Sequence, residues 1–152
     1  MNILGQNFMY GSVMLIAGVG IPIMGALSGG LGARMQSPAL AAVVLFVVGF
    51  VLAIIYLSVV EGLPDSLPQA SIPFQYYLGG VFIIFYTLSI TYIGPKFGIG
   101  NAVCFVLLGQ LISMSVIDHF GLLGSLQYSI TLQRLAGLLL MAAGVFLVVK
   151  RF

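Results

Sequence analysis

Charged residues are so sparse along this 152-residue chain that they divide it into long uncharged stretches. Five basic and three acidic residues carry the formal charge, and the apolar stretches between them run over 1–33, 35–60, 66–95, 97–117 and 135–149. A soluble domain needs a charged surface, which this chain lacks. A helix needs about 20 mostly apolar residues to cross the hydrocarbon core of a bilayer. The sequence therefore predicts an integral membrane protein with helical spans.

The apolar stretches fix the expected fold. We place five spans at 7–33, 38–60, 75–94, 97–117 and 130–149. Strands of a membrane barrel would alternate polar and apolar residues over about 10 positions, and no segment does so. The expected fold class is all-α, with five transmembrane helices that form a single domain over 1–152.

Several function classes find no support in the residues. The only cysteine, Cys104, lies inside the fourth span, so neither a disulfide framework nor a metal site is predicted. No nucleotide-binding loop and no nucleophile with an adjacent base is present, so we expect neither an enzyme nor a bound cofactor. The net charge of +2 is small and spread over the loop ends, which does not favour a nucleic-acid partner.

The loop charges predict the orientation of the chain in the membrane. With five spans, one side receives four basic residues, Arg34, Lys96, Lys150 and Arg151. The other side receives Glu61, Asp65, Asp118 and His119, and a single basic residue, Arg134. Lys and Arg near span ends are retained in the cytoplasm, and acidic residues matter little. We therefore expect the N-terminus outside and the C-terminus in the cytoplasm.

Glycines recur every seven residues in the first span, at Gly11, Gly18, Gly25 and Gly32. Because such a stripe drifts by only about 20° per heptad, it stays on one side of the helix. Small residues allow close helix packing in lipid, so this span is expected to meet another helix along its whole length. Two interpretations stay open: the glycines serve ordinary packing, or Pro22 makes this helix a hinged, movable wall of a cavity.

Polar residues inside the spans are costly and mark candidate sites. Gln110 and Ser113 share one face of the fourth span, where they either hydrogen bond to another helix or line a pathway. In the polar end of the third span, Tyr92 fits an interfacial belt, and the deeper Tyr86 is a candidate for a cavity wall.

Asp118 and His119 adjoin each other where the fourth span ends. One interpretation is that they anchor the span at the membrane interface. However, Arg134 lies at the beginning of the fifth span, where the positive end of the helix dipole disfavours it. We therefore predict that an Asp118–Arg134 ion pair joins these spans, with His119 as a protonation switch near physiological pH.

Three segments carry a resemblance to a known family. They are GVGIPIMGALSGGLGARMQSPALAAVVLF (18–46), PKFGIGNAVCFVLLGQLISMSVIDHFGLLG (95–124) and QRLAGLLLMAAGVFLV (133–148). In this order and spacing, they resemble the YdcZ-type inner-membrane exporters of the drug/metabolite transporter superfamily. The resemblance covers nearly the whole chain, and its most specific part is the stretch from Gly109 to Gly121.

The resemblance implies one half of an inverted-repeat bundle of five plus five helices, with a substrate cavity between two oppositely inserted halves. The residues that match the family pattern are Gln110, Asp118, His119 and Arg134. In the family that this chain resembles, many members have Asn at the position of Ser28, and often Gln at the position of Met24. Met24 and Ser28 are thus candidate cavity positions at which this chain departs from the pattern.

Taken with the loop charges, the resemblance implies a half-subunit that moves a small molecule by alternating access, with efflux as the direction, in a bacterial inner membrane. Its partner would be an oppositely oriented five-helix homologue, or a second copy in a homodimer. A non-transporting scaffold or accessory subunit is the main alternative, because no span has a carboxylate near its middle. A passive channel or a lipid-handling protein is a third alternative.

Overall fold

The computed structural model describes residues 3–62 and 72–149, and all of their regular structure is helical. Its five α-helices are α1 (Ile3–Met35), α2 (Pro38–Tyr56), α3 (Gly79–Phe97), α4 (Ile99–Phe120) and α5 (Leu132–Val149). A π-helical turn continues α2 over Leu57–Glu61, and 3-10 turns occupy Phe74–Leu78 and Leu122–Gly124. With these extensions, five helices are long and apolar enough to cross a membrane. The chain is an all-α membrane protein, as the uncharged stretches predicted.

The helix ends differ from the predicted spans by a few residues. The third helix runs through Pro95 to Phe97, although its span was predicted to end at residue 94. Pro95 lies in the last turn and lacks a backbone N–H, so the carbonyl of Thr91, four residues earlier, has no helical donor from it. The fourth helix continues to Phe120, so Asp118 and His119 belong to its last turn. Residues 63–71, between the second and third predicted spans, lie outside the described residues.

The chain divides into two compact units. Unit 1, Met1–Lys96, contains α1, α2 and α3, and unit 2, Phe97–Phe152, contains α4 and α5. The prediction of a single five-helix domain over 1–152 stays a prediction.

A tight turn joins α1 to α2 in unit 1. Gln36 adopts a left-handed conformation with φ of 53°, which stops α1. The backbone N–H groups of Gln36 and Ser37 donate to the carbonyls of Ala33 and Gly32, at 3.3 and 3.2 Å. The Ser37 hydroxyl then accepts the N–H of Leu40 at 3.1 Å and caps α2. Two carbonyls at the end of α1 and one N–H at the beginning of α2 are thereby satisfied locally.

Next to this turn, the backbones of unit 1 approach closely. A Cβ atom added at Gly32 would lie 2.8 Å from Cγ2 of Thr91, and one at Gly29 would lie 3.0 Å from Cγ of Pro95. The first distance is too short for a real Cβ contact and the second is unusually tight, so α3 packs directly on the α1 backbone. The buried side chains of unit 1 are mostly small, namely Ser28, Ala41, Ala42, Thr87, Ile90 and Thr91.

Among the described residues, the glycine stripe of α1 packs against other helices only in its second half. Gly25 and Gly32 are buried, whereas a Cβ added at Gly11 or Gly18 would meet no atom within 4 Å. Beyond Phe46, the described residues of α2 are also almost all exposed. The expectation of close contact along the whole first span is therefore wrong for contacts within the described chain. The reason is that no other described helix reaches the N-terminal half of α1, although its glycines are equally small.

Candidate functional site

Backbone hydrogen bonds close the C-terminal end of α4. Gly121 follows the helix with φ of 61°, a left-handed conformation that glycine adopts without strain. The Asp118 carbonyl accepts the N–H of Gly121 at 3.4 Å and that of Tyr128 at 2.8 Å. The loop therefore folds back over the end of α4, where the last carbonyls lack helical partners.

Side chains complete this cap. The Ser125 hydroxyl donates to the Ile117 carbonyl at 3.3 Å, and the Gln127 amide donates to the His119 carbonyl at 3.1 Å. In the opposite direction, Nδ1 of His119 accepts the backbone N–H of Ile130 at 3.2 Å. An imidazole nitrogen that accepts a hydrogen bond carries no proton, so this contact requires neutral His119. The His119 side chain therefore ties the end of α4 to the beginning of α5.

An ion pair spans the same region. Nη2 of Arg134 donates to Oδ2 of Asp118 at 2.8 Å, and the two side chains are 27% and 24% exposed. The backbone N–H of Arg134 also donates to the hydroxyl of Thr131, which caps α5. The carboxylate thus neutralises an arginine in the first turn of α5, where the helix dipole disfavours a cation. The predicted partners are in contact, and their gating role stays a prediction.

We call Asp118, His119, Arg134 and the loop over 121–131 the α4–α5 clasp. Exposed ion pairs contribute about 0–1 kcal/mol, because water screens them. This pair is about three-quarters buried and forms a short, charge-assisted hydrogen bond. We therefore expect its contribution to stability to exceed that of an exposed pair. Loss of one partner would leave the other charge without compensation at the end of a spanning helix.

Gln110 stands apart from the clasp, near the middle of α4. Its side chain is exposed, and no residue that the structure describes hydrogen bonds to its amide. The neighbouring Ser113 is also exposed, and its hydroxyl donates to the Gln110 carbonyl at 3.3 Å. The serine is therefore satisfied within its own helix, and the amide of the glutamine is not.

The α1 candidates lie within an uninterrupted helix. Ser28 is fully buried, and its hydroxyl donates to the Gly25 carbonyl at 3.2 Å. Met24 and Pro22 are half-buried, and α1 continues through the proline. Proline lacks the N–H that would reach the carbonyl four residues earlier, so the Gly18 carbonyl lacks its helical donor. The hinge at Pro22 and the cavity roles of Met24 and Ser28 stay predictions.

Two hydroxyls of α3 are buried without a hydrogen bond among the described residues. They belong to Tyr86, which is half-buried, and to Thr91, which is almost fully buried. A buried hydroxyl without a partner costs free energy, so each of these groups calls for an acceptor that the described chain does not supply. Tyr86 was predicted as a wall residue, and Thr91 was missed. Its spacing of four residues from the buried Thr87 could have pointed to it.

Within residues 3–62 and 72–149, no group of three or more His, Cys, Asp or Glu side chains lies close enough to hold a metal ion. Cys104 is a free thiol, half-buried in α4.

The family model described as "Putative inner membrane exporter, YdcZ" matches residues 9–147. The chain belongs to the YdcZ family. The match extends from α1 to α5, and it includes Gln110 and the α4–α5 clasp. No curated protein and no solved structure matches the chain significantly. The family description points to a membrane exporter, and the five helices of this member are long and apolar enough to cross a membrane.

Proposed function

We propose that this YdcZ-family protein is one half of an exporter that moves a small molecule across a bacterial inner membrane by alternating access. The observation that carries the proposal is the exposed amide of Gln110. The family description supports export as the activity, without naming a substrate.

Gln110 lies near the middle of a helix that is long enough to span the membrane. An amide without a hydrogen bond in hydrocarbon costs roughly 2–7 kcal/mol. A spanning helix therefore turns such a group away from lipid, toward another protein surface or a water-filled cavity. We infer that the Gln110 face of α4, with Ser113, forms part of a substrate pathway.

A second subunit would complete that pathway. The unfilled glycine positions in the N-terminal half of α1 offer a surface that another helix backbone could approach closely. Inverted-repeat transporters combine two halves of opposite orientation around a site near the bilayer midplane. We propose an oppositely oriented five-helix homologue as the partner, with a second copy of this chain as the other arrangement.

The loop charges favour the heteromeric arrangement. Their bias predicts an outside N-terminus and a cytoplasmic C-terminus, so all copies of this chain would face the same way. A homologue with the opposite bias would then supply the inverted half. In unit 1, Tyr86, Met24 and Ser28 are the residues we propose for the cavity wall.

A non-transporting accessory subunit is the second candidate function, favoured by the position of the acids. Within the described residues, the carboxylates lie at helix ends, and Asp118 is engaged by Arg134. A proton-coupled exporter commonly carries an ionisable group within the membrane. If this chain contributes no transport pathway of its own, mutations at Gln110 should leave export unchanged.

The test compares the compounds that cells release. Cells expressing this chain together with a homologue whose loop charges predict the opposite orientation are compared with vector controls. Untargeted mass spectrometry of the medium measures the released compounds. The compound that increases is then measured in proteoliposomes by saturation and counterflow. Gln110→Leu should lower its flux by about tenfold, as for the loss of one polar contact in the pathway. Ile112→Val, a conservative change at an exposed position of the same helix, is the matched control.

Two outcomes would contradict the proposal. One is that cells containing the folded pair of chains release the same compounds, in the same amounts, as the vector controls. The other is that Gln110→Leu and Ile112→Val give the same flux as the unmodified chain. The second outcome would favour the accessory subunit.

A further inference from the structure

A groove on unit 1 combines aliphatic walls with one cationic end. It has a volume of about 430 Å³ and is lined by Ala26, Leu27, Gly30, Leu31, Arg34 and Leu45. Leu45 belongs to α2 and the other residues to α1, so the groove follows the seam between these helices. A Cβ added at Gly30 would meet no atom within 4 Å, so the absence of a side chain there keeps the groove open.

Arg34 lies in the last turn of α1, at the end of the spanning segment Phe8–Met35. Its guanidinium therefore lies near the boundary between hydrocarbon and headgroups. From Ala26 to Arg34 the helix rises about 12 Å, at 1.5 Å per residue. The groove thus extends from the interface into the hydrocarbon region.

The Arg34 guanidinium has no ion-pair or hydrogen-bond partner among the described residues. It is not needed to cap α1 either, because the carbonyls of Gly32 and Ala33 accept backbone N–H groups of the following turn. Lys96 in the same unit differs, since its ammonium lies 3.4 Å from the centroid of the Tyr92 ring. Arg34 is therefore available to an anion from outside the chain.

We propose that this groove binds an anionic phospholipid, with the phosphate on Arg34 and one acyl chain along the aliphatic walls. A guanidinium matches the geometry of phosphate oxygens and can bind two of them at once. Basic pockets between spanning helices are suited to anionic headgroups, and methylene groups fit an apolar seam. This inference does not depend on the proposed export function.

Charge distinguishes this groove from others on the protein. The grooves lined by Phe105, Leu108 and Ala142, and by Cys104, Leu107 and Met141, contain no charged side chain. Any lipid tail can cover those grooves without selectivity for its headgroup. Selectivity for an anionic headgroup is therefore the property that the Arg34 groove should show.

Native mass spectrometry of the purified full-length chain can measure this selectivity. The detergent-solubilised protein is mixed with phosphatidylglycerol or with phosphatidylcholine of the same acyl chains, and the retained lipid is counted. We expect preferential retention of phosphatidylglycerol. Arg34→Gln should lower it by about tenfold, as for the loss of one charge-assisted contact, and should lower retention of phosphatidylcholine much less, because the choline cation offsets the charge of its phosphate.

Two matched pairs of variants separate the groove from general effects. Lys96→Gln removes the same charge from the same unit but not from the groove, so it should retain phosphatidylglycerol. Gly30→Leu fills the groove and keeps Arg34, so it should lower retention of phosphatidylglycerol. Gly18→Leu adds the same side chain at another open position of α1 and should not lower it. Thermal melting followed by circular dichroism confirms that each variant is folded.

Three results would overturn the proposal. Equal retention of the two lipids would show a non-selective annular contact. An equal loss in Lys96→Gln and Arg34→Gln would show general interfacial attraction. Co-purification of a dimer that Gly30→Leu dissociates, without a change in bound lipid, would show that a second copy of the chain occupies the groove.

Discussion

The turn between α1 and α2 and the loop between α4 and α5 each connect two spanning helices, but they use different contacts. Around the first, glycine and alanine allow backbones to approach, and no ion pair is formed among the described residues. Around the second, the α4–α5 clasp joins the helix ends through an ion pair and capping hydrogen bonds. Lipid offers no hydrophobic drive for helices to associate, so van der Waals contact and polar bonds must supply it. Unit 1 relies on van der Waals contact between closely packed helices. Unit 2 has an ion pair and several hydrogen bonds at one end of its two helices.

The comparison also concerns tolerance to change. Close backbone packing fails when a side chain is added, whereas a clasp fails when a side chain is removed. The two units should therefore respond in opposite ways to larger and smaller substitutions.

The largest effect is expected for Gly32→Leu in unit 1. Its Cβ alone would lie 2.8 Å from Cγ2 of the buried Thr91, so α3 must move away from α1. Overpacking of this kind costs about 1–3 kcal/mol or more, and we expect the upper end here. Thermal unfolding in detergent measures the loss. Gly11→Leu, in open space on the same helix, is the control, and an equal loss in both variants would show that the close contact is unimportant.

A smaller effect is expected when the ion pair of unit 2 is broken. Arg134→Ala leaves Asp118 without its partner, and the free energy of unfolding should fall by about 1–3 kcal/mol, between exposed and buried pairs. Reversing both charges, Asp118→Arg with Arg134→Asp, should restore it. The reversed pair puts a cation at the end of α4 and an anion at the beginning of α5, and both helix dipoles favour this by about 0.3–1 kcal/mol each.

Chemical denaturation of the two single reversals, Asp118→Arg and Arg134→Asp, and of the double reversal gives the coupling free energy of this pair. A reversed pair as unstable as Arg134→Ala would contradict a structural clasp. If the reversed pair folds but does not export, Asp118 and Arg134 also act in transport.

The smallest effect is expected at His119, where one hydrogen bond is at stake. His119→Ala should lower the free energy of unfolding of unit 2 by about 1 kcal/mol, because the Ile130 N–H loses its acceptor. His119→Asn, whose side-chain oxygen can occupy a position close to Nδ1, should retain most of it. Hydrogen exchange at the Ile130 amide reports the bond directly.

Exchange at Ile130 also tests the predicted protonation switch. An imidazolium ring has no acceptor nitrogen, so acidification should lower the protection of the Ile130 amide, measured as its exchange rate relative to the intrinsic rate at the same pH. In the His119→Asn variant, the protection of this amide should not fall on acidification. Equal pH responses of the two proteins would rule out the switch.

The features that were predicted correctly follow from the hydrophobic length of each segment and from the few charged residues near the span ends. The five spans follow from uncharged length, and all five are helices in the structure. The contact between Asp118 and Arg134 was predicted because a cation at the beginning of a helix requires compensation, and few acids were available.

The features that were missed depend on how the chain bends. Ser125, Gln127 and Tyr128 are ordinary loop residues in the sequence, and only the backward fold of their loop brings them to the end of α4. The buried hydroxyl of Thr91 was overlooked because its burial depends on the approach of α1 to α3.

The sequence by itself determined that this protein crosses a membrane with five helices, because hydrophobic length is a local property that adds up along the chain. Only the tertiary structure decided which glycines pack, since Gly11 and Gly32 look alike in the sequence and differ in whether another backbone reaches them. It also decided that Arg34 borders an open groove, whereas Lys96 covers a tyrosine ring. The physical reason is that contacts between helices depend on distances between backbones, which residue spacing along one helix does not fix.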